Sequence, residues 1–248
     1  MKKLLDRIFI DGLTGMAQGL FATLIIGTII QQIGTYCGGN IGDLIFTLGK
    51  VAAGLTGAGI GAGVARKLDA GHLVIVSAAV AGMIGAFAGD VMSGSIVNEG
   101  SLVLSGPGEP LGAFVAAYIA IEIGILISGK TKLDIILTPL VCIGVGSAVG
   151  LLVGPPISGF MSWLGSLINW GTEQQPFVMG IVVSVLMGMI LTLPISSAAL
   201  GVILNLSGLA AGAATVGCCC NMIGFAVASF RENKFSGLLS QGIGTSML

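Results

Sequence analysis

Nothing constrains this chain more than its succession of apolar stretches near 20 residues long, each closed by a short basic or Gly/Pro-rich link. About 20 apolar residues let an α-helix cross the hydrocarbon core of a bilayer, and lipid offers the backbone no other hydrogen-bonding partner. The first stretch runs from Leu13 to Ile33 behind Lys2, Lys3 and Arg7, and is too long for a cleaved signal peptide, so it reads as a retained helix. A Gly-rich stretch from Ile45 to Ala65 ends at Arg66-Lys67, a third runs from Leu73 to Met92, and a fourth from Leu111 to Ile127 ends before Lys130 and Lys132. A fifth, Ile135 to Val153, stops at Gly154-Pro155-Pro156. With the N-terminus in the cytoplasm, both basic clusters fall on the cytoplasmic side, as the positive-inside rule requires.

The second half is less regular. Ile157 to Trp170 carries Trp163 and Trp170 seven residues apart, near one helical face, and reads as an interfacial or re-entrant helix. Phe177 to Leu193 is a further span closed by Pro194. The apolar run from Ile195 to Phe230 is too long for one helix and too short for two crossings, so it is expected to enter and return as half-helices. The expected class is an all-α polytopic membrane protein with about seven spanning or re-entrant elements and discontinuous helices. Residues 1–248 form one transmembrane domain, with five helices in 1–153 and the interfacial and broken helices in 154–248. An apolar run begins again at Gly237 to Gln241, just before Leu248, so either a terminal half-helix docks there or, as expected, the chain continues beyond it.

Composition narrows the partners. Charged residues make up 8% of the chain, too few to dress a soluble surface, where about 25% is usual. The formal charge of −1 and the scattered cations exclude a face that tracks a phosphate backbone, so no nucleic acid partner is expected. Cys218-Cys219-Cys220 lacks metal-ligand spacing, and no catalytic group, metal or cofactor site is legible.

Gly57/Gly61 and Gly59/Gly63 form two interleaved GxxxG pairs, which favour close helix packing. The run GAGIGAG has no strand–helix context for a dinucleotide site. Polar residues stand out against this background. The link from Ser93 to Pro110 contains Glu99 and Glu109 among glycines and prolines, and is either an outside loop or a non-helical substrate loop facing a polar cavity. Glu122 lies within a span, where a charge is costly, and so serves transport or structural pairing. Asp90 reads as a boundary residue and His72 as an interfacial one. Asn169, Glu173, Gln174 and Gln175 form either an ordinary exposed turn or a set of acceptors and amides suited to a polyhydroxylated ligand. Pro194, Ser196 and Ser197 mark a helix break in the membrane that, with Asn205 and Asn221, either contacts ligand, resembling the discontinuous helices of secondary transporters, or is repaired locally by the serines.

Several long strings carry a resemblance: DRIFIDG at Asp6–Gly12, GPGEPLGAF at Gly106–Phe114, SGKTKLDIILTPL at Ser128–Leu140, the segment Gly154–Ile181, LTLPISSAAL at Leu191–Leu200 and the segment Gly208–Asn233. Together they resemble the EIIC-type membrane family of the bacterial sugar phosphotransferase system, including its perfringolysin regulator-like subgroup. The resemblance implies a bacterial cell-membrane permease that moves a sugar inward while a separate IIB protein phosphorylates it, and it suggests a homodimer. The chain carries no IIA histidine domain, no IIB phosphocysteine motif and no Gly-Ile-Thr-Glu sugar motif of the glucose-type members. The leading expectation is therefore a permease component for a small polar solute such as a sugar. The alternatives are a membrane sensor or regulator that does not transport, and an ion-coupled transporter of a non-sugar solute.

Overall fold

The computed structural model describes residues 7–98, 101–104, 106–130, 132–172, 174, 176–192, 206 and 208–244. Contacts group the chain into two compact units, Met1–Ser158 and Gly159–Leu248.

The first unit begins with one helical run in which π-helical turns, Arg7–Gly12 and Phe21–Ile25, alternate with α1 (Leu13–Leu20) and α2 (Ile26–Cys37). Gly38 and Gly39 both take positive φ and reverse the chain into α3 (Gly39–Gly54), which packs back on α2. Next come α4 (Thr56–Lys67), α5 (His72–Ala86) and the short α6 (Ala88–Ser93). Between α6 and Pro110 the described residues form no helix, as the glycines and prolines of the link predict; β1 (Val97–Asn98) pairs antiparallel with β2 (Ser101–Leu102), Val97 opposite Leu102. Helix α7 (Pro110–Ile127) follows, with proline in its first turn, where a missing N–H costs nothing. Helix α8 (Asp134–Thr172) contributes Asp134–Ile157 to this unit. The Asp134 carboxylate anchors its start by accepting from the Gly129 amide at 3.0 Å and the Thr138 hydroxyl at 2.6 Å.

Glycine and alanine set how closely these helices approach. The two GxxxG pairs of α4 serve opposite neighbours. Gly59 and Gly63 face Gly19 and Gly15 of α1, whereas Gly57 and Gly61 face Gly82 and Ala78 of α5. A Cβ on Gly57 would lie 2.8 Å from both the Gly82 carbonyl oxygen and the Ala86 methyl. Gly85 and Gly112 bring α5 and α7 together in the same way. The core is correspondingly fine-grained, with Ala78, Ala81, Ala113, Ala116, Ala117 and Ala120 fully buried beside Ile60, Val64 and Ile121. Lipid gives helices no hydrophobic reason to associate, so close backbone approach and dispersion supply the cohesion. The buried hydroxyls of Thr56 and Ser77 donate to the Ala53 and Leu73 carbonyls, so neither is stranded.

In the second unit, α9 (Pro176–Leu191) packs against α10 (Gly208–Ala228), where Gly217 lies against the Ser184 backbone. Helix α11 (Phe230–Leu239) and a π-helical turn, Ser240–Gly244, complete it.

The expected count of about seven spanning or re-entrant elements is not met. Among the described residues four helices are long and apolar enough to cross a membrane: Ile10–Cys37, Pro110–Ile127, Asp134–Ile157 and Gly208–Ala228. A fifth appears only if α3 and α4, bent by 51° at Leu55, count as one. The reasons are local. The expected span from Ile45 to Ala65 straddles that bend. The expected span from Leu73 to Met92 breaks at Phe87 (φ −109°, ψ 21°), leaving α5 with 15 residues, about 22 Å of helix against a core of about 30 Å. Helix α9, with 16 residues, is also short of a full crossing. Gly154-Pro155-Pro156 does not end the fifth helix, because α8 continues to Thr172 with Pro139, Pro155 and Pro156 inside it. Each proline removes one helical N–H, yet Leu151 and Leu152 lose only single backbone partners and the helical path persists. The first third of the expected broken passage between Ile195 and Phe230 lies outside the described residues, and most of the rest forms α10, a single helix long enough to cross a membrane.

Candidate functional site

Helix α7 is the most enclosed of the four long helices, with 56% of its span buried against 33%, 22% and 22% for the others. Two of the predicted site residues, Glu109 and Glu122, belong to it. Thirteen residues of helix separate them by about 19 Å, so they work at opposite ends rather than as one pair.

Glu109 is held by the end of α5. Gly106 and Gly108 take φ of 81° and 71°, a region costly for other residues, and turn the chain toward Ala86. A Cβ on Gly108 would sit 2.8 Å from the Ala86 methyl and carbonyl oxygen. The Glu109 amide then donates to the Ala86 carbonyl at 2.7 Å. This close approach carries the carboxyl inward, where Oε1 is buried without a hydrogen-bond partner. Burial raises the pKa of Glu109 above the ordinary carboxylate range, partly offset by the Leu111 amide.

Near the other end of α7, Glu122 Oε1 meets Arg7 Nε at 2.9 Å, with both side chains about one-third exposed (32% and 39%). Of the two roles expected for Glu122, the structure displays pairing. Neither atom has hydrogen-bond alignment toward the other, so the contact is a charge pair rather than a directed bond. Tyr118, one turn earlier on α7, interacts electrostatically with both groups. Phe114 continues the same stripe, its ring 5.9 Å from that of Tyr118 and close to Gly12. Sequence reasoning missed Arg7 because it precedes the apolar stretch and reads as a topogenic charge. The available signal was that the first span begins, and α7 ends, on the predicted cytoplasmic side.

In the second unit the Asn221 amide donates to the Gly188 carbonyl at 2.6 Å, joining α10 to α9. It lines an open groove of about 420 Å³ with Ser184, Thr192, Gly217, Cys220 and Phe225. Of the second polar cluster, Gln174 is exposed between α8 and α9, and the Asn169 backbone lies in α8 while its side chain is not described. Glu99, Glu173, Gln175, Pro194, Ser196 and Ser197 lie outside the described residues. Asp90, expected at a boundary, is exposed in the first turn of α6 and accepts from the Ser95 hydroxyl at 3.2 Å.

The family described as "Phosphotransferase system, EIIC" matches residues 10–248, nearly the whole chain. No curated protein and no solved structure matches it. Family membership implies IIA and IIB partner proteins and a lipid environment, in keeping with the long apolar helices. The chain is thus a multi-pass membrane permease component, and it belongs to the phosphotransferase system EIIC family.

Proposed function

We propose that this permease component binds and translocates a small polar solute such as a sugar, with Glu109 as the principal acceptor for its hydroxyl groups. The carrying observation is the buried Glu109 Oε1, left without a partner at the non-helical entry to the most enclosed helix. A buried carboxylate oxygen without a donor is unfavourable, and a ligand hydroxyl satisfies it. In the same link Gly106 has open space where a Cβ would go, room into which a ligand could reach.

In this reading Glu99 extends the acceptor set on the same link. Asn169, Glu173, Gln174 and Gln175 supply further polar contacts, and the Pro194 break with Ser196, Ser197 and Asn221 provides the gate. Glu122 serves the transport cycle by holding the N-terminal helix. The N-terminus lies in the cytoplasm, placing Arg66, Lys67, Lys130 and Lys132 on the side where a IIB protein docks. Phosphoryl transfer belongs to that partner, while this chain must bind solute unequally in its two access states for transport to proceed. A homodimer is the proposed assembly.

The test is uptake of labelled sugars and small organic solutes into proteoliposomes, with and without IIA and IIB proteins and an imposed proton gradient. Accumulation of a sugar as its phosphate only with those proteins supports the proposal, as does loss of that accumulation in Glu109→Ala. Gradient-driven uptake of a non-sugar solute would replace it with ion coupling. No uptake of any solute by folded protein would favour a sensor.

A further inference from the structure

The start of α8 carries a groove that the proposed solute path does not use. It encloses about 360 Å³ and is lined by Lys132, Leu133, Ile136, Leu137 and Leu140. The four aliphatic residues follow the helical spacing i, i+3, i+4 and i+7, so they form one apolar stripe running about 10 Å down the helix from the lysine. Leu133, Ile136 and Leu140 are exposed, so no other described helix covers the stripe. The span from Asp134 to Ile157 is one of the two least enclosed in the chain, which leaves this face to the bilayer.

The mouth of the groove is cationic. Among the described residues neither Lys130 nor Lys132 makes an ion pair. The carboxylate two residues on, Asp134, is engaged by the Gly129 amide and the Thr138 hydroxyl. A second basic link lies alongside, because a Cβ on Gly71 would stand 3.8 Å from the Ser128 hydroxyl oxygen. In that link Arg66 is paired with Asp69 at 3.4 Å, while Lys67 makes no ion pair among the described residues. The two adjoining links therefore carry a surplus of positive charge at one end of the first unit.

We propose that this groove binds an anionic phospholipid, with the phosphate held by Lys132 and Lys130 and an acyl chain lying along Leu133, Ile136, Leu137 and Leu140. A soluble phosphate would satisfy the lysines but gain nothing from four aliphatic side chains. A zwitterionic lipid would gain the chain contacts without a net charge attraction. An anionic lipid uses both halves of the groove at once. Gly129 has open space where a Cβ would go, so a headgroup has room beside Lys130. The site is separate from the solute path and stands whichever solute is carried.

The test uses the full-length chain carrying Trp163→Phe and Trp170→Phe, with Ile136→Trp as the single reporter, in phosphatidylcholine vesicles containing bromine-labelled lipid. Labelled phosphatidylglycerol is expected to quench the reporter with at least about fivefold higher apparent affinity than labelled phosphatidylcholine, roughly what one lysine near an anionic surface contributes. Lys132→Gln should cut that preference below about twofold, and adding Lys130→Gln should abolish it. A reporter placed instead by Val76→Trp, exposed four residues into α5, should show at most about a twofold preference. Equal preference at both reporters would mean diffuse accumulation around a basic surface and overturn the site. Equal quenching by the two lipids would make the groove an ordinary lipid-facing surface and overturn it too. Displacement of the labelled phosphatidylglycerol by soluble glycerol phosphate would leave a phosphate site without the groove. Shielding from both lipids in a dimeric species would assign the face to a second copy, and either result overturns the proposal. Should the reporter variants not fold, native mass spectrometry of the unaltered chain decides. Retention of phosphatidylglycerol at least about fivefold over phosphatidylcholine, lost in Lys132→Gln, supports the site, and equal retention overturns it.

Discussion

A Cβ built on Gly15 would lie 2.7 Å from the carbonyl oxygen of Gly63, so the N-terminal helix and α4 touch backbone to backbone at this point. Neither atom belongs to the far end of a flexible side chain, and no rotamer change would relieve the overlap. Gly15→Val should therefore force the two helices apart and lower stability by roughly 1–3 kcal/mol. Gly144 on α8 is exposed and has open space where a Cβ would go, so Gly144→Ala should stabilise by up to about 1 kcal/mol through helix propensity. Unfolding in mixed micelles compares the two; equal effects would remove close packing as the explanation.

Burial raises the pKa of Glu109 relative to the unfolded chain, which fixes the sign of a pH dependence. The folded state binds the proton more tightly, so the stability it gains is complete below the ordinary carboxylate pKa and is lost as pH rises through the raised folded value. Glu109→Gln removes that slope. The variant should unfold at a higher temperature than the parent near neutral pH, and the gap should narrow as the pH falls below the ordinary glutamate range. A gap that widened on acidification would contradict the burial of this group.

The Asn221 amide links α10 to α9 by donating to the Gly188 carbonyl at 2.6 Å. Asn221→Ala should cost about 1 kcal/mol of stability, the usual size of an interhelical hydrogen bond in membranes. Asn221→Asp offers no donor when ionised and should cost more. Reversible unfolding in bicelles measures both, and a neutral Asn221→Ala would assign the groove side chain to ligand contact instead of packing.

The basic clusters Arg66/Lys67 and Lys130/Lys132 should lie on one side of the membrane, and the β1–β2 hairpin on the other, with α5 and the short α6 together making the crossing that α5 alone is too short to make. Reporter fusions after Lys67, Ser95 and Lys130 test this directly. Cytoplasmic signals at the first and third, with an external signal at the second, are expected. Any other pattern would reverse the proposed placement of Glu109.

Much of the membrane architecture was legible in residue order. The apolar character of Leu111 to Ile127 and the basic residues beyond it marked α7 within two residues of its observed bounds, because hydrocarbon thickness sets a minimum length for a crossing. Gly57, Gly59, Gly61 and Gly63 announced close packing, since an absent side chain has few other uses on an apolar helix. Hydropathy nevertheless overcounted the spans. It registers apolar length but not the bend at Leu55, the break at Phe87 or the helical passage through Pro155 and Pro156, which depend on local dihedrals and neighbouring helices.

The candidate site divides along the same line. By itself the sequence determined that Glu109 and Glu122 stand out as acids bordering or within apolar stretches, because few charges are tolerated there and each must have a reason. Only the tertiary structure decided that Glu122 is answered by Arg7, more than a hundred residues earlier, and that Glu109 Oε1 is answered by no hydrogen-bond donor. Residue order records the cost of a charge in an apolar setting, but helix packing determines which donor reaches it.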